Sequence, residues 1–305
     1  MNQEKLLKRL QKPTGIVDVV IDTDTYNEID DQFALSYLIR SKDRLRLKAI
    51  YAAPFSNDKA ATPKEGMEKS YEEIRHILTL IGKPEYMEMT YKGSESYLSD
   101  ETHPVISEAA EDLVRRAMAQ PDDRPLYVVA IGAITNVASA LLIEPEIREK
   151  IVLIWLGGHA YSWKDTKEFN MAQDIAAARV VFNCQVPLVQ LPCMGVVSEF
   201  STTEPELVYW LKGKNKLCDY LVENTVTEAR IYAQASCWSR VIWDVTAVAW
   251  LLDEKFMEER LERSPIPQYD AHYSFDPDRH FIKYVYHINR DCLFEDLFTK
   301  LAKND

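Results

Sequence analysis

No Cys-x-x-Cys pair occurs in this chain. Its five cysteines, Cys184, Cys193, Cys218, Cys237 and Cys292, are odd in number. Neither a disulfide framework nor a thiolate zinc site is therefore indicated, and free thiols in a reducing compartment are expected. Positive charge is in deficit: 36 Lys and Arg face 48 Asp and Glu, a net charge of −12. Polyanion binding needs cations facing the phosphates, so this balance excludes a general nucleic-acid binder and fits a small, weakly charged partner. Also missing is any apolar run near the roughly 18 residues of a membrane span, and residues 1–13 are polar and lysine-rich. A cytoplasmic protein with no membrane partner is expected. There is no low-complexity tract, internal repeat or evident linker, and 47% hydrophobic residues suffice for a sizeable core. One domain over residues 1–305 is the expectation.

What is present is a strand–helix alternation. Strand-like runs at 16–21, 47–53, 126–131, 151–156 and 187–191 are separated by helical patterns at 31–41, 63–81, 104–120, 135–142 and 175–183. Unbroken Val/Ile/Leu runs suit strands covered on both faces, so a doubly wound, mostly parallel open α/β sheet is expected. After Leu191 the pattern reads as mainly helical to Leu252, then a Pro-containing loop at 265–277, a strand at 281–288 and a helix from Glu295. Ligands of such sheets sit beyond the carboxyl ends of the strands.

At such an end stand Asp22, Asp24, Glu28, Asp30 and Asp31. Carboxylates held together by a strand end and a helix start repel one another unless a cation or a proton sits among them. A helix-capping role accounts for one aspartate at such a place, not for this set together with a late Asp244. Three further segments look equipped to join them. In the 128–136 run, Gly132 follows a strand, the Ile131 carbonyl is free to bind a cation, and Thr135 and Asn136 read as helix caps. Gly157 and Gly158 lead into a polar loop with Glu168 and Asn170. Asp244 opens an apolar helix. Among six histidines no His-x-x-x-His pair exists, and only His159, after the glycine turn, is placed to face a cleft.

In this order the segments resemble the calcium-dependent nucleoside hydrolases of the inosine-uridine-preferring type, from Val19 to roughly Leu301. The resemblance implies a nucleoside hydrolase-like, Rossmann-like core with a mainly helical C-terminal part. It implies Ca²⁺ held by Asp24, Asp31, the Ile131 carbonyl and Asp244, with Asp30 as general base. It also implies sugar contacts from Asp244, Glu168 and Asn170, a substrate-site role for Asn57, which lies near the position of an asparagine that helps hold the water, and a homodimer or homotetramer acting on a ribonucleoside. The chemistry is consistent: N-glycosidic cleavage builds positive charge on the sugar, which carboxylates stabilise, and calcium's six to eight oxygen ligands leave room for a ribose diol.

The chain departs from the family at three places. The turn from Asp24 to Asp31 is two residues longer and lacks proline and glycine, so Tyr26, Asn27 or Glu28 can reach towards the pocket. The loop between Gly158 and Glu168 is shorter and lacks the family's asparagine. Trp243 stands where many members have a histidine; an indole face stacks on a purine, making purine ribosides the first choice, with core packing as the alternative role. Two other functions stay open. The run Asp22-Thr-Asp24-Thr25 also resembles the opening of haloacid-dehalogenase-like phosphatases, with Asp22 as nucleophile, Asp24 as acid/base and Mg²⁺. A catalytically weak calcium-dependent riboside-binding protein is the other.

Overall fold

The computed structural model describes residues 1–303. The chain enters the sheet after a short helix, α1 (Gln3–Arg9), and lays down β1 (Val17–Thr23), β2 (Leu45–Ala52), β3 (Thr90–Lys92), β4 (Leu126–Ala130), β5 (Ile151–Leu156) and β6 (Leu188–Leu191). These run parallel in the order β3-β2-β1-β4-β5-β6. Beyond β6 lies Phe281–Ile288, also parallel, and then Met257–Arg263, which is antiparallel and forms the far edge. Strand order reverses between β1 and β4, and the crevice at such a switch point is where open α/β sheets bind ligands.

The strands are central because both of their faces are apolar. Val19 and Ile21 of β1 enter one hydrophobic cluster and Val20 enters another on the opposite face, as the two-residue strand period requires. The first cluster is completed by α2 (Asp30–Arg40) and α3 (Pro63–Ile81), and the second by α4 (Glu108–Met118), α5 (Thr135–Ile143) and α7 (Ile175–Asn183), after the short α6 (Phe169–Gln173). α2 is buried from Asp30 through Ile39, so it is held by contact on all sides and places its first turn rigidly. At about 1.5–3 kcal/mol for each fully buried large aliphatic or aromatic side chain, these two layers are the main source of stability. α3 begins at an N-capping Thr62 with Pro63 in the first turn, and ends where Gly82 takes a left-handed φ of 77°.

The later part of the chain differs from the expected helical tail. α8 (Glu204–Leu211), α9 (Lys216–Tyr232), α10 (Val245–Ala249) and α11 (Arg290–Ala302) are present, with α11 starting five residues before Glu295. Between them, Ser201–Thr202 pairs with Arg240–Val241, and Ile266–Pro267 pairs with Tyr273–Ser274 inside the expected loop. The edge strand Met257–Arg263 reads as Met-Glu-Glu-Arg-Leu-Glu-Arg and carries no apolar alternation, and after Met257 its side chains are exposed or half-buried. Among the described residues no helix is long and apolar enough to cross a membrane.

Candidate metal centre and its cavity

At the switch point the chain leaves β1, and the Asn27 amide donates to the Asp24 carbonyl (2.7 Å). α2 then begins at Asp30 without a side-chain cap. Its first turn therefore presents Asp30 and Asp31 on free N–H groups, where the helix dipole favours negative charge. Asp244 sits at the start of α10 and makes no capping bond either, so its carboxylate is left for other work. Oxygens of Asp30, Asp31 and Asp244 all lie within 4.8 Å of one another, and all three residues are buried. Together with Asp24, Ile131 and Trp243 they line a cavity of about 170 Å³.

Asp24 is the most telling member. It is wholly buried, and neither of its carboxylate oxygens has a hydrogen-bond partner among the described residues. An unpaired buried carboxylate costs several kcal/mol, about 1–3 for a merely unsatisfied polar group and more for a charge, so the arrangement calls for a cation. Gly132 keeps the space beside Asp24 clear: a side-chain carbon there would stand 3.1 Å from the Asp24 carboxyl. Burial first, then the neighbouring acids, pushes Asp24 and Asp244 well above the usual carboxylate range; Asp30 is raised in the same way, by burial and then Glu28 and Asp31. Asp31 is pushed up to about 7, chiefly by burial, against a hydrogen bond donated by the Thr23 hydroxyl. Arg240 partly offsets the charge on Asp30, and it ion-pairs with Glu28 at 2.6 Å at the cavity's edge. An all-oxygen donor set of this kind fits a hard divalent ion.

The opposite wall is built by the glycine turn. Gly158 has φ of 75°, and a side chain there would strike the Tyr273 hydroxyl. Its N–H donates to Glu168 (2.8 Å), whose carboxylate also accepts from the amides of Asn170 (2.7 Å) and Met171 (2.9 Å). Glu168 is thus the N-cap of α6, and burial raises it to about 7 against these three bonds. Asn170 donates through Nδ2 to the carbonyls of Ile131 (3.2 Å) and Leu156 (3.0 Å), which leaves its Oδ1 as an acceptor on the cavity wall. The Ile131 carbonyl keeps a second lone pair for an ion. His159 does line the cavity. Its Nδ1 accepts the Met194 N–H (3.2 Å), so the neutral ring carries its proton on Nε2, and burial lowers its pKa.

Several expected residues fall elsewhere. Asn57 is exposed and outside the cavity, because the longer turn puts Asn27 there instead; Asn57 Nδ2 donates to Asn27 Oδ1 at 2.8 Å. Tyr26 points outward under the Lys69 ammonium, 5.9 Å from its ring centre. Thr135 and Asn136 do not cap α5, which opens at Ile134; their side chains reach across to Asp174 and to Asp22, Ala52 and Ser94. Asp22 is absent from the cavity wall and takes its bond from Asn136, which removes it as a phosphatase nucleophile. Trp243 lines the cavity and also packs on the core. Phe169, Cys193 and Met194 line it without having been anticipated. The last two follow the end of β6, so the strand-end rule applied to every strand finds them.

A Rossmann-ordered parallel sheet whose switch point holds converging buried carboxylates, Asp24 among them unpaired, is an α/β fold with a candidate metal site. The sequence pattern of the inosine-uridine preferring nucleoside hydrolases matches residues 19–274, and the chain belongs to that family. It is 28% identical over 196 residues to the pyrimidine-specific ribonucleoside hydrolase RihA of Salmonella paratyphi A, covering 56% of this chain and 58% of that protein. With RihA of Klebsiella pneumoniae (strain 342) it shares 27% over 175 residues, 48% of this chain and 55% of the other. The chain thus spans little more than half the length of these curated relatives. Among solved structures, a plant nucleoside hydrolase, PpNRh1, superposes with a TM-score of 0.73 at 18% identity over 96% of this chain and 100% of its own. A purine-preferring ribonucleoside hydrolase from Gardnerella vaginalis gives 0.74 at 18%, over 93% and 98%. At such identities the likeness is one of fold.

Proposed function

We propose that the protein hydrolyses the N-glycosidic bond of ribonucleosides, purine ribosides first, to free base and ribose, with Ca²⁺ as its cofactor. The observation that carries this reading is Asp24, a fully buried carboxylate with both oxygens unbonded that lines the same cavity as the clustered Asp30, Asp31 and Asp244. Asp24, Asp31, Asp244 and the Ile131 carbonyl would hold the ion. When bound, the ion supplies positive charge that acidifies a nearby water and takes the oxygens of a sugar diol as ligands.

The remaining steps belong to the chain. Asp30, raised by burial and like charge, is basic enough to take the proton of the attacking water as its oxygen bonds to the anomeric carbon. The C–N bond breaks towards the base, which leaves with the electron pair. Positive charge developing on the sugar is stabilised by the surrounding carboxylates. Asn170 Oδ1 accepts a sugar hydroxyl, with Asp244 alongside, and Glu168 fixes the turn that aims Asn170. The indole of Trp243 offers a stacking face for a purine.

A panel of inosine, adenosine, guanosine, uridine, cytidine and a deoxyriboside, read for base and reducing sugar with and without chelator, tests each part. Turnover that survives chelation removes the cation, and uridine above inosine reverses the base preference. Release of phosphate from a phosphomonoester without nucleoside turnover replaces the reaction altogether. A single-domain, cytoplasmic homo-oligomer belongs to the same reading and is checked by light scattering and fractionation.

A further inference from the structure

The extra residues of the turn after β1 bring Asn27 into the cavity wall, and three contacts hold it there. Its backbone N–H donates to the Asp24 carbonyl (2.7 Å), and its backbone carbonyl accepts from Lys59 Nζ (2.9 Å). Lys59 is itself ion-paired with Glu228 of α9. Gln32 Nε2 ties down the neighbouring Thr25 carbonyl (2.8 Å). The residue is 8% exposed and is one of those that line the cavity.

The direction of its carboxamide follows by deduction. The backbone N–H of Lys59 donates to one side-chain atom of Asn57 at 2.8 Å. A backbone N–H can only donate, so that atom is Oδ1, and the other, Nδ2, must be a donor. Asn57 Nδ2 is 2.8 Å from the Asn27 side chain. The atom it meets is therefore an acceptor, Asn27 Oδ1. What remains is Asn27 Nδ2, which makes no hydrogen bond within the described residues and belongs to a side chain that lines the cavity together with Asp24, Asp30 and Asp31. Every carboxylate there only accepts when ionised, so a fixed neutral donor has a specific use.

We propose that Asn27 Nδ2 donates to the oxygen of a sugar hydroxyl held at the acid cluster, and that exposed Asn57 acts only through it, as a positioning residue that sets the amide's direction. The proposal rests on the ribonucleoside reading above. A hydroxyl oxygen at this place gives its proton to a carboxylate and accepts one hydrogen bond from the amide, which makes the contact selective for that hydroxyl over its deoxy counterpart.

The test uses a substitution that is ordinarily silent on a surface. In Asn57→Asp, one oxygen still accepts from Lys59 N–H, but the other is now an acceptor facing Asn27 Oδ1. The Asn27 amide turns over, and its oxygen enters the cavity in place of the donor. Expected is a loss of about 10²-fold in kcat/KM on inosine, the size seen when one reaction-site donor is removed. Asn57→Ala, which merely releases the amide, loses about 3- to 10-fold, and Asn27→Ala falls with Asn57→Asp. Melting temperature and calcium affinity, read by calorimetry, stay at the wild-type values in both Asn57 variants. The inhibition constants of 2′-deoxyinosine and 3′-deoxyinosine are compared in wild type and Asn57→Asp; the one lacking the contacted hydroxyl is unchanged. Equal losses for both deoxynucleosides, an Asn57→Ala defect as large as Asn57→Asp, or losses that track calcium affinity or melting overturn the proposal. A wild-type protein that cleaves no ribonucleoside overturns the underlying reading instead.

Discussion

Two buried aspartates of the α/β core behave as opposites. Asp112, on α4, is 4% exposed and fully served: Arg116 reaches it at 2.5 Å, the Tyr51 hydroxyl at 2.8 Å, and Arg115 pairs with it as well. Asp24, beyond the end of β1, is at least as deeply buried and has no donor to its carboxylate among the described residues. The first carries its counter-charges within the chain and is a structural clamp. The second is complete only when something from outside arrives, so an unserved buried charge marks the functional end of the sheet.

Five experiments break or sharpen this contrast. Asp31→Ala or Asp244→Ala is expected to abolish calcium binding in calorimetry and to lower kcat/KM on inosine by at least on the order of 10³-fold. Asp30→Ala keeps the metal but loses about 10²–10⁴-fold in kcat, the usual share of a general base; wild-type turnover removes it from that role. Third, Asp112→Ala strands two arginines and costs about 3–5 kcal/mol in denaturant unfolding. Asp24→Asn moves the metal-free protein the other way, upwards by roughly 2–4 °C, the shift about 1 kcal/mol produces in a chain of a few hundred residues. Equal signs for the two end the comparison.

The fourth concerns pH. Asp22, Asp31 and Glu168 are raised to about 7 in the fold, mainly by burial, so the folded state holds more protons than the unfolded one. Their contribution to stability is complete below the unfolded carboxylate range near 4 and is lost as pH rises through about 7. Metal-free protein should therefore melt at falling temperature between about pH 4 and 7, and saturating calcium should flatten the Asp31 part of that slope. The smallest effect is expected from Trp243→Ala: loss of a stacking face worth about 0.5–1.5 kcal/mol lowers inosine turnover relative to uridine. An unchanged ratio assigns Trp243 to the core alone.

Much of this was legible in the residues. Strands β1, β2, β4, β5 and β6, and α3 and α7 to the residue, follow from periodicity because both faces of those strands are buried, whereas the three-residue β3 gave no such signal. Asp24, Asp30 and Asp31 stood out because carboxylates gathered at a strand end repel one another unless a cation or a proton sits among them, and the family resemblance joined Asp244 to them. The strand Met257–Arg263 was hidden because its side chains after Met257 stay exposed or half-buried, so no apolar pattern marks it. Asn27 and Asn57 were beyond reach for a different reason: which of two asparagines faces a cavity depends on how a longer turn folds back, and no periodicity encodes that. Thr135 and Asn136 looked like caps because side chains that bridge to other segments use the same residue types.

The two borders of the main sheet have a consequence for how the protein behaves in a crowded solution. One border is a strand of only three residues, Thr90–Lys92, and the other is Met257–Arg263, with three glutamates and two arginines along it. A row of free backbone groups invites further chains to add on, but a short ribbon offers few attachment points, and a charge-studded one rejects apolar newcomers. Fibre growth from either side is thereby discouraged, without a helix being laid across the exposed edge.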